Sequence, residues 1–533
     1  GADPAAAPGI RAAAGDAAWA AEVCDAVPTE WLQRVDNAFR TDWSGDVQYL
    51  PNYPNPVDGG LSHAGPWPHL QEVPFLIYGP GYVKPGVYEQ PVSVTDIAPT
   101  AGRLVDFDFA APDGEALTDA LVPADDRPLP KLVVTLIWDS AGTDVLDRWE
   151  GDWPYLEQLA SEGAWFPDAT VGISNSNTPP GHAAIGTGAF PVRSGVIDEY
   201  VRLGDHMVQT GEGGPSFVLL PTFGDLYDLS MGNEPIVGSV VTLASHAFMM
   251  SHGAMWNGGD RDITVMRQEL SAETSGVESV EWNLPGKMRL YYSFPEYANR
   301  ASQIDGFNRE LDQRDGQLDG LWRQNSIEQL RSGFDTPART PYQTQLIRAV
   351  VERERFGRDE VPDLLYLNYK AIDTIGHAYG MDSVEMQDSI QYQDEALRDV
   401  VEILNEEVGE GEWVLFLTAD HGAQIPADVT DSIPIDPNKM KKLVADRFDT
   451  DGDAQPLFRQ IRPTQLWVDQ DELEDLGVTF DEIARYIGSL TATQVARSDF
   501  TIPSGREDEL VYQASWPSRL MPQLPCLAAG DES

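Results

Sequence analysis

Short, uninterrupted apolar runs alternate with amphipathic stretches along most of the chain. Val73–Gly79 (VPFLIYG), Lys131–Ile137 (KLVVTLI), Pro362–Leu367 (PDLLYL) and Trp413–Thr418 (WVLFLT) are apolar on consecutive positions, not on every second one. A strand covered on both faces needs that pattern, so these runs predict the buried strands of a mainly parallel sheet. Helical periodicity fills the intervals, over Trp153–Glu162 and Met386–Asn405. The alternation predicts an open, doubly wound α/β fold with helices on both faces of the sheet. Residues 123–130 (PADDRPLP) read as a linker, because proline restricts its own φ and its predecessor. The expected organisation is a loose leader over 1–20, a block over 21–122, the linker, and a main domain over 131–533. The stretch Gln268–Arg348 is polar, aromatic and irregular, and reads as a cap within an insertion over about 200–348. No internal repeat is visible.

Charge narrows the partners. The 533 residues include 36 Lys+Arg and 86 Asp+Glu, a formal net charge of −50, yet 42% are hydrophobic. That apolar share suits a folded chain and excludes wholesale disorder. The acidity excludes binding to a nucleic-acid backbone or to anionic lipid, both of which need clustered Lys and Arg. No apolar run approaches the roughly 18 residues of a membrane span. The acidic surface reads either as ordinary self-repulsion or as adaptation to saline surroundings. Two cysteines, Cys24 and Cys526, cannot form a cysteine zinc site or a disulfide scaffold. The chain opens at Gly1 without a Met, so any signal peptide has been removed or was never included, and export to a periplasmic or extracellular space is the expectation.

Three of the strand-like runs end in acids. LVVTLIWDS ends at Asp139, LLYLNYKAIDTIGHAYG carries Asp373 and His377 just past its strand, and WVLFLTADHG ends in Asp420 and His421. Ligands of open α/β sheets bind beyond the carboxyl ends of the strands, where such loops converge. Carboxylates with imidazoles make a zinc-type donor set. One strand-ending Asp serves as often as a turn or helix cap; three on core strands are hard to explain that way. A fourth element, Ser174–Val196 (SNSNTPPGHAAIGTGAFPVRSGV), sets Thr178 before two prolines, a glycine and His182. Its hydroxyl would stand at a helix N-terminus, which favours an anion, although a plain Thr cap is the commoner role.

In that order, the four motifs resemble the alkaline phosphatase superfamily, in its type I phosphodiesterase/nucleotide pyrophosphatase branch. The likeness runs from about Leu132 to Phe500. It implies hydrolysis of a phosphate ester through a phospho-threonine on Thr178, with two zinc ions. One ion would be held by Asp139, Thr178, Asp420 and His421, the other by Asp373, His377 and a further histidine. The family carries that histidine after the D-H-G, where this chain has none. Gly60–Thr100 (GLSHAGPWPHLQEVPFLIYGPGYVKPGVYEQPVSVTDIAPT) resembles the family's last quarter, and His63 matches the missing ligand. The resemblance therefore implies a circular permutation, with about 30–122 filling the family's C-terminal place; the rival is that His63 serves a neighbouring chain, as in a swap. Cys24 and Cys526 would then flank the old junction. A disulfide between them is one expectation, and two unrelated buried thiols the other.

Substrate class is read from departures. Monoesterases of the superfamily resemble one another in an Asn about twenty residues past the Thr and in a Lys-x-Arg on the cap. Glu199 stands at the Asn position, and Ala244 and His246 align with the cationic pair. Losing cations weakens a dianionic monoester more than a monoanionic diester, so the lean is toward diesters or nucleotide pyrophosphates. Asn177, Glu199 and His246 are the candidate substrate contacts; His246 and His252 also read as ordinary cap histidines. His182 is expected to pack near Thr178 without binding metal. Asp449–Asp453 (DTDGD) reads as a turn, since it lacks the EF-hand pattern. The rivals are a phosphomonoesterase and, from another class, an inactive permuted relative that only binds a ligand or partner. A small-molecule phosphate ester is the expected partner, and the oligomeric state is left open.

Overall fold

The computed structural model describes residues 15–57, 63–270, 279–299, 304–330, 335–424, 426–452 and 455–528. It divides into two units. One comprises the chain up to Trp67, Tyr200–Val208 and everything from Ile425 onward; the other comprises Pro68–Glu199 and Gln209–Gln424. The block expected over 21–122 is thus shared between them, and 123–130 lies inside the second unit.

The second unit is built on one sheet of ten described strands. Its middle is five parallel strands in the order Asp262–Leu270, Val237–Val241, Asp363–Tyr369, Leu132–Trp138 and Trp413–Thr418. Every residue of Leu132–Trp138, Asp363–Tyr369 and Trp413–Thr418 is buried, which is why these segments are apolar at consecutive positions. Phe75–Tyr78 joins antiparallel to Trp413–Thr418, so the fourth predicted run is a strand of this sheet but runs against its neighbours. The predicted helices form as Pro154–Glu162 and Val384–Leu404. The α/β class and the mainly parallel sheet read from the sequence are those of the structure.

Six of the sheet's ten described strands lie outside the four predicted runs, Val237–Val241 and Asp262–Leu270 among them. Val237–Val241 was missed because Gly238 and Ser239 interrupt its apolar run. Gly238 is required there: a Cβ would lie 2.7 Å from the Phe356 ring. Part of the polar stretch 268–348 also belongs to the sheet, since Ser279–Asn283 pairs antiparallel with Asp262–Leu270 and Tyr292–Ser293 extends that edge. These are edge positions, where one-sided exposure leaves no continuous apolar signal.

The first unit carries a four-stranded antiparallel sheet in the order Phe458–Ile461, Gln465–Val468, Val47–Pro51, Tyr512–Pro517. An early strand therefore lies between two late ones. The helix Asp16–Ala26 begins inside the stretch read as loose, because Trp19, Ala20 and Val23 bury in this unit's core. Cys24 and Cys526 are joined by a disulfide. No described helix is long and apolar enough to cross a membrane.

The disulfide closes a loop of nearly the whole chain, so its loss should cost about 2–5 kcal/mol. Cys24→Ser is expected to lower Tm, and thiol titration of the unfolded, unreduced protein should find no free thiol. Two titratable thiols, or a Tm that does not respond to reductant, would contradict the bond.

Candidate active site

The site forms at the carboxyl ends of the three central strands of the second unit. The register pairs Trp138 with Tyr369 and Ile137 with Thr418. One step past those pairs stand Asp139, Lys370 and Ala419, with Asp420 and His421 immediately after. Asp373 follows one helical turn into Ala371–Tyr379. The strands thus deliver three carboxylates and a lysine to one place, with Asp139, Asp420 and His421 fully buried and Asp373 4% exposed.

Thr178 opens the helix Thr178–Thr187, with Pro179 and Pro180 in its first turn. Proline suits those positions because the first N–H groups of a helix have no internal partner. The helix presses against the D-H-G segment: a Cβ on Gly181 would lie 2.2 Å from the Asp420 carbonyl oxygen, so only glycine fits. Thr178 Oγ1 lies 3.4 Å from His421 Nε2 and accepts a hydrogen bond from Lys370 Nζ at 3.1 Å. Lys370 also bonds Asp139 Oδ1 at 2.8 Å and Asp373 Oδ2 at 2.9 Å. Asn368 Nδ2 donates to Asp139 Oδ2 at 3.1 Å. His377 Nε2 is 3.3 Å from Asp373 Oδ1.

Burial and mutual charge shift the titrating groups of the cluster in opposite directions. Burial, and then the Asp420 charge, raise the Asp139 carboxyl. Burial would raise Asp420 too, but the His421 and His182 imidazoles beside it and the Lys370 ammonium outweigh it and hold it well below the usual range. Burial would lower Lys370, yet Asp139, Asp373 and Asp420 drive it upward. Burial likewise works against His377, and the bond to Asp373 overrides it, so this histidine is raised.

Donor chemistry fits a metal ion. His421 Nδ1 is 2.9 Å from the Gly422 carbonyl, which takes its N–H and leaves Nε2 as a lone pair. That lone pair faces Asp420 Oδ2 at 3.4 Å and Asp139 Oδ1 at 3.7 Å. Asp420 Oδ2 is buried and makes no hydrogen bond of good geometry, its nearest donor being His182 Nδ1 at 3.2 Å. One ligand atom from each of Asp139, Asp420 and His421 lies within 4.8 Å of the others. At an effective dielectric near 20, two carboxylates that close repel by about 3–4 kcal/mol, and a cation between them removes that cost.

The other expected residues fall as follows. His182 packs as expected: Nδ1 is 3.0 Å from the Thr178 carbonyl and 3.2 Å from Asp420 Oδ2, orienting the helix. His246 is fully buried, stacked on His182 at 4.6 Å between ring centroids, with Nε2 unpartnered 3.6 Å from Asp139 Oδ2. Burial, His182 and Lys370 hold it well below its ordinary pKa, so it is neutral. Asn177 donates its amide to Asp198 Oδ1 at 3.1 Å, and Asp198 precedes the half-buried Glu199. His252 is bonded to Asp225, with Nδ1 at 2.6 Å from Oδ2, and so has a structural partner in the cap. His63 lies in the first unit, half-buried.

Two features went unread. Lys370 looks like a solvated loop lysine in sequence; only the register with Asp139 exposes it. Gln71 is the other. Its amide donates to the Ile173 carbonyl at 2.7 Å and to Ser176 Oγ at 3.2 Å, and its carbonyl accepts from Ile173 N at 3.0 Å. Just before it, the Leu70 carbonyl accepts from Gly422 N at 3.0 Å. Residues 68–71 therefore hold both the loop leading to Thr178 and the D-H-G segment.

A sequence model of the family described as "Type I phosphodiesterase / nucleotide pyrophosphatase" matches residues 133–508. The chain is 23% identical to alkaline phosphatase PhoV of Synechococcus elongatus over 339 residues, 57% of this chain and 61% of that protein. It is 26% identical to alkaline phosphatase PafA of Elizabethkingia meningoseptica over 156 residues, 28% of this chain and 29% of that one. The chain thus spans less than two thirds of the length of these curated relatives. The crystal structure of wild-type PafA aligns with a TM-score of 0.48 and 16% identity, over 72% of this chain and 82% of that one.

Gln71→Leu would strip the buried Ile173 N–H and carbonyl of their partner, at about 1–3 kcal/mol per group. The expected result is a loss of about 2–4 kcal/mol in urea unfolding, with the loop leading to Thr178 opening first to hydrogen exchange. A stability within ~0.5 kcal/mol of wild type would contradict the clamp.

Proposed function

Because the chain belongs to the type I phosphodiesterase/nucleotide pyrophosphatase family, we propose that it hydrolyses phosphate esters through a phospho-threonine on Thr178, with divalent metal, zinc by its donor set, as cofactor. The carrying observation is the convergence of Asp139, Asp420 and His421 on the hydroxyl at the helix N-terminus. Asp139, Asp420 and His421 would hold the ion, and Asp373 with His377 stands beside them. The motif order adds His63 as the third ligand of a second ion; that assignment rests on sequence alone. A bound ion supplies Lewis acidity toward the phosphoryl oxygens and the ligating hydroxyl.

The residues do the rest. Thr178 Oγ1 attacks phosphorus in line with the leaving oxygen: the Oγ1–P bond forms as the ester P–O bond breaks. The hydrogen bond from Lys370 Nζ fixes Oγ1 and favours negative charge on it. The free N–H groups of the helix's first turn favour the phosphoryl anion. His182 ties the Thr178 carbonyl to Asp420, holding the nucleophile against the metal ligands. Water then cleaves the Oγ1–P bond and restores threonine.

We read the substrate as a diester or nucleotide pyrophosphate. Asn177, Glu199 and neutral His246 add no positive charge where a dianionic monoester would need it. The relatives named as alkaline phosphatases make monoester action the rival. We also read the chain as circularly permuted. The central position of Val47–Pro51 between late strands, the pairing of Phe75–Tyr78 with Trp413–Thr418, and the terminal disulfide support that order. The disulfide further supports an oxidising, exported location.

Thr178→Ala should reduce turnover of bis(p-nitrophenyl) phosphate by about 10³-fold or more while circular dichroism and metal content stay near wild type. Near-normal turnover would overturn the nucleophile assignment. For wild type, kcat/KM should be about tenfold or more higher on that diester than on p-nitrophenyl phosphate. The reverse ratio would make the chain a monoesterase.

A further inference from the structure

The helix Arg339–Glu354 begins at the carboxyl end of the sheet, beside the candidate centre. One turn in, Gln343 Nε2 donates to the Val240 carbonyl at 3.1 Å and to the Asn368 carbonyl at 2.8 Å, close to where those two strands end. Asn368 is also the residue whose amide holds Asp139. At the helix start, Arg339 Nη1 donates to Thr374 Oγ1 at 3.1 Å, and Thr374 directly follows Asp373. A guanidinium is thereby fixed next to the cluster of carboxylates.

The protein does not satisfy this guanidinium. Arg339 is 4% exposed, and its Nη2 is buried with no hydrogen-bond partner. Among the described residues no carboxylate forms an ion pair with it. A second cation, Arg267, stands near it, 3.8 Å from Asp335 Oδ1. Burial, and then the Arg267 charge, pull Arg339 down to about 10, while Asp335, Asp373 and Asp139 oppose the fall, so it is cationic at neutral pH. A buried arginine with an unmade N–H and no ion pair is costly, and an incoming anion relieves that cost.

Position selects the anion. Arg339 bonds none of Asp139, Asp373, Asp420 or Thr178, so it stands outside the ring of groups that meets the phosphoryl under attack. An anion that reaches Arg339 while phosphorus faces Thr178 Oγ1 is carried on the neighbouring substituent. A second phosphoryl group, one bridging oxygen away, has the charge and the acceptor oxygens that a planar guanidinium fits. An alkyl or aryl ester arm has neither.

We propose that Arg339 is a specificity-determining residue whose Nη2 donates to an oxygen of the phosphoryl group next to the one attacked, and so selects pyrophosphate-linked substrates over simple diesters. Its place in catalysis rests on the phosphate-ester reading of the Thr178 site; the binding of a diphosphate does not.

Binding is read by calorimetry on the zinc-loaded full chain with AMP and with the α,β-methylene diphosphate of adenosine, whose CH2 bridge blocks cleavage. Wild type should bind the diphosphate about tenfold or more tighter than AMP. In Arg339→Gln that ratio should fall close to one, with AMP affinity and metal content unchanged. A ratio near one in wild type would overturn the proposal, as would an undiminished ratio in Arg339→Gln or an equal loss for both probes. Arg339→Met, which keeps the apolar stem, is the second variant; if circular dichroism shows neither variant folded, the wild-type ratio alone decides. Turnover of bis(p-nitrophenyl) phosphate is followed on the same samples. Diphosphate selectivity through Arg339 without ester turnover would refute the hydrolase reading and leave the site standing; turnover without that selectivity would refute the site alone.

Discussion

Three buried carboxylates forced together are the constraint from which the site follows. Adjacent parallel strands end at nearly the same level, so Asp139 and Asp420 meet at the carboxyl end of the sheet and Asp373 joins them from the next helix. Their mutual repulsion in a buried place demands positive charge. The structure answers with an ammonium salt-bridged to two of them and with imidazoles turned toward the group. The same concentration of donors that makes the cluster costly when empty makes it a strong cation site. Stability and function are therefore opposed here, as is common where charged groups are gathered for chemistry.

Thr178 depends on a second constraint, which is positional. Thr178 is held by backbone contacts that only small residues permit, above all Gly181 against the Asp420 carbonyl. The loop before it is fixed by Gln71, from a segment more than a hundred residues earlier. That segment also grips Gly422. The segment from Pro68 is thus an integral part of the second unit and not an appended block. In the other unit, an early strand fills the gap between two late ones, and a disulfide closes the ends.

Much of this was legible in sequence for a physical reason. Strands buried on both faces must be apolar throughout, so the three central strands and Phe75–Tyr78 announce themselves, and the acids that end them stand out against that background. The D-x-x-x-H and D-H-G spacings could be read because they are local. What escaped depended on pairing between distant segments. Val237–Val241 is central, but Gly238 and Ser239 disguise it. Lys370 gains its meaning only from the residue across the sheet, and Gln71 only from a loop it reaches in space. The direction of Phe75–Tyr78 is likewise set by its partner, not by its own composition.

The account stands or falls on whether this cluster makes Thr178 a nucleophile. The most direct measurement is to quench the zinc-loaded protein in acid during turnover of an ester labelled at phosphorus, digest it, and map the bound label. The account predicts phosphate on the peptide that carries Thr178, and on no other. Steady turnover with no phosphate on that peptide would contradict it.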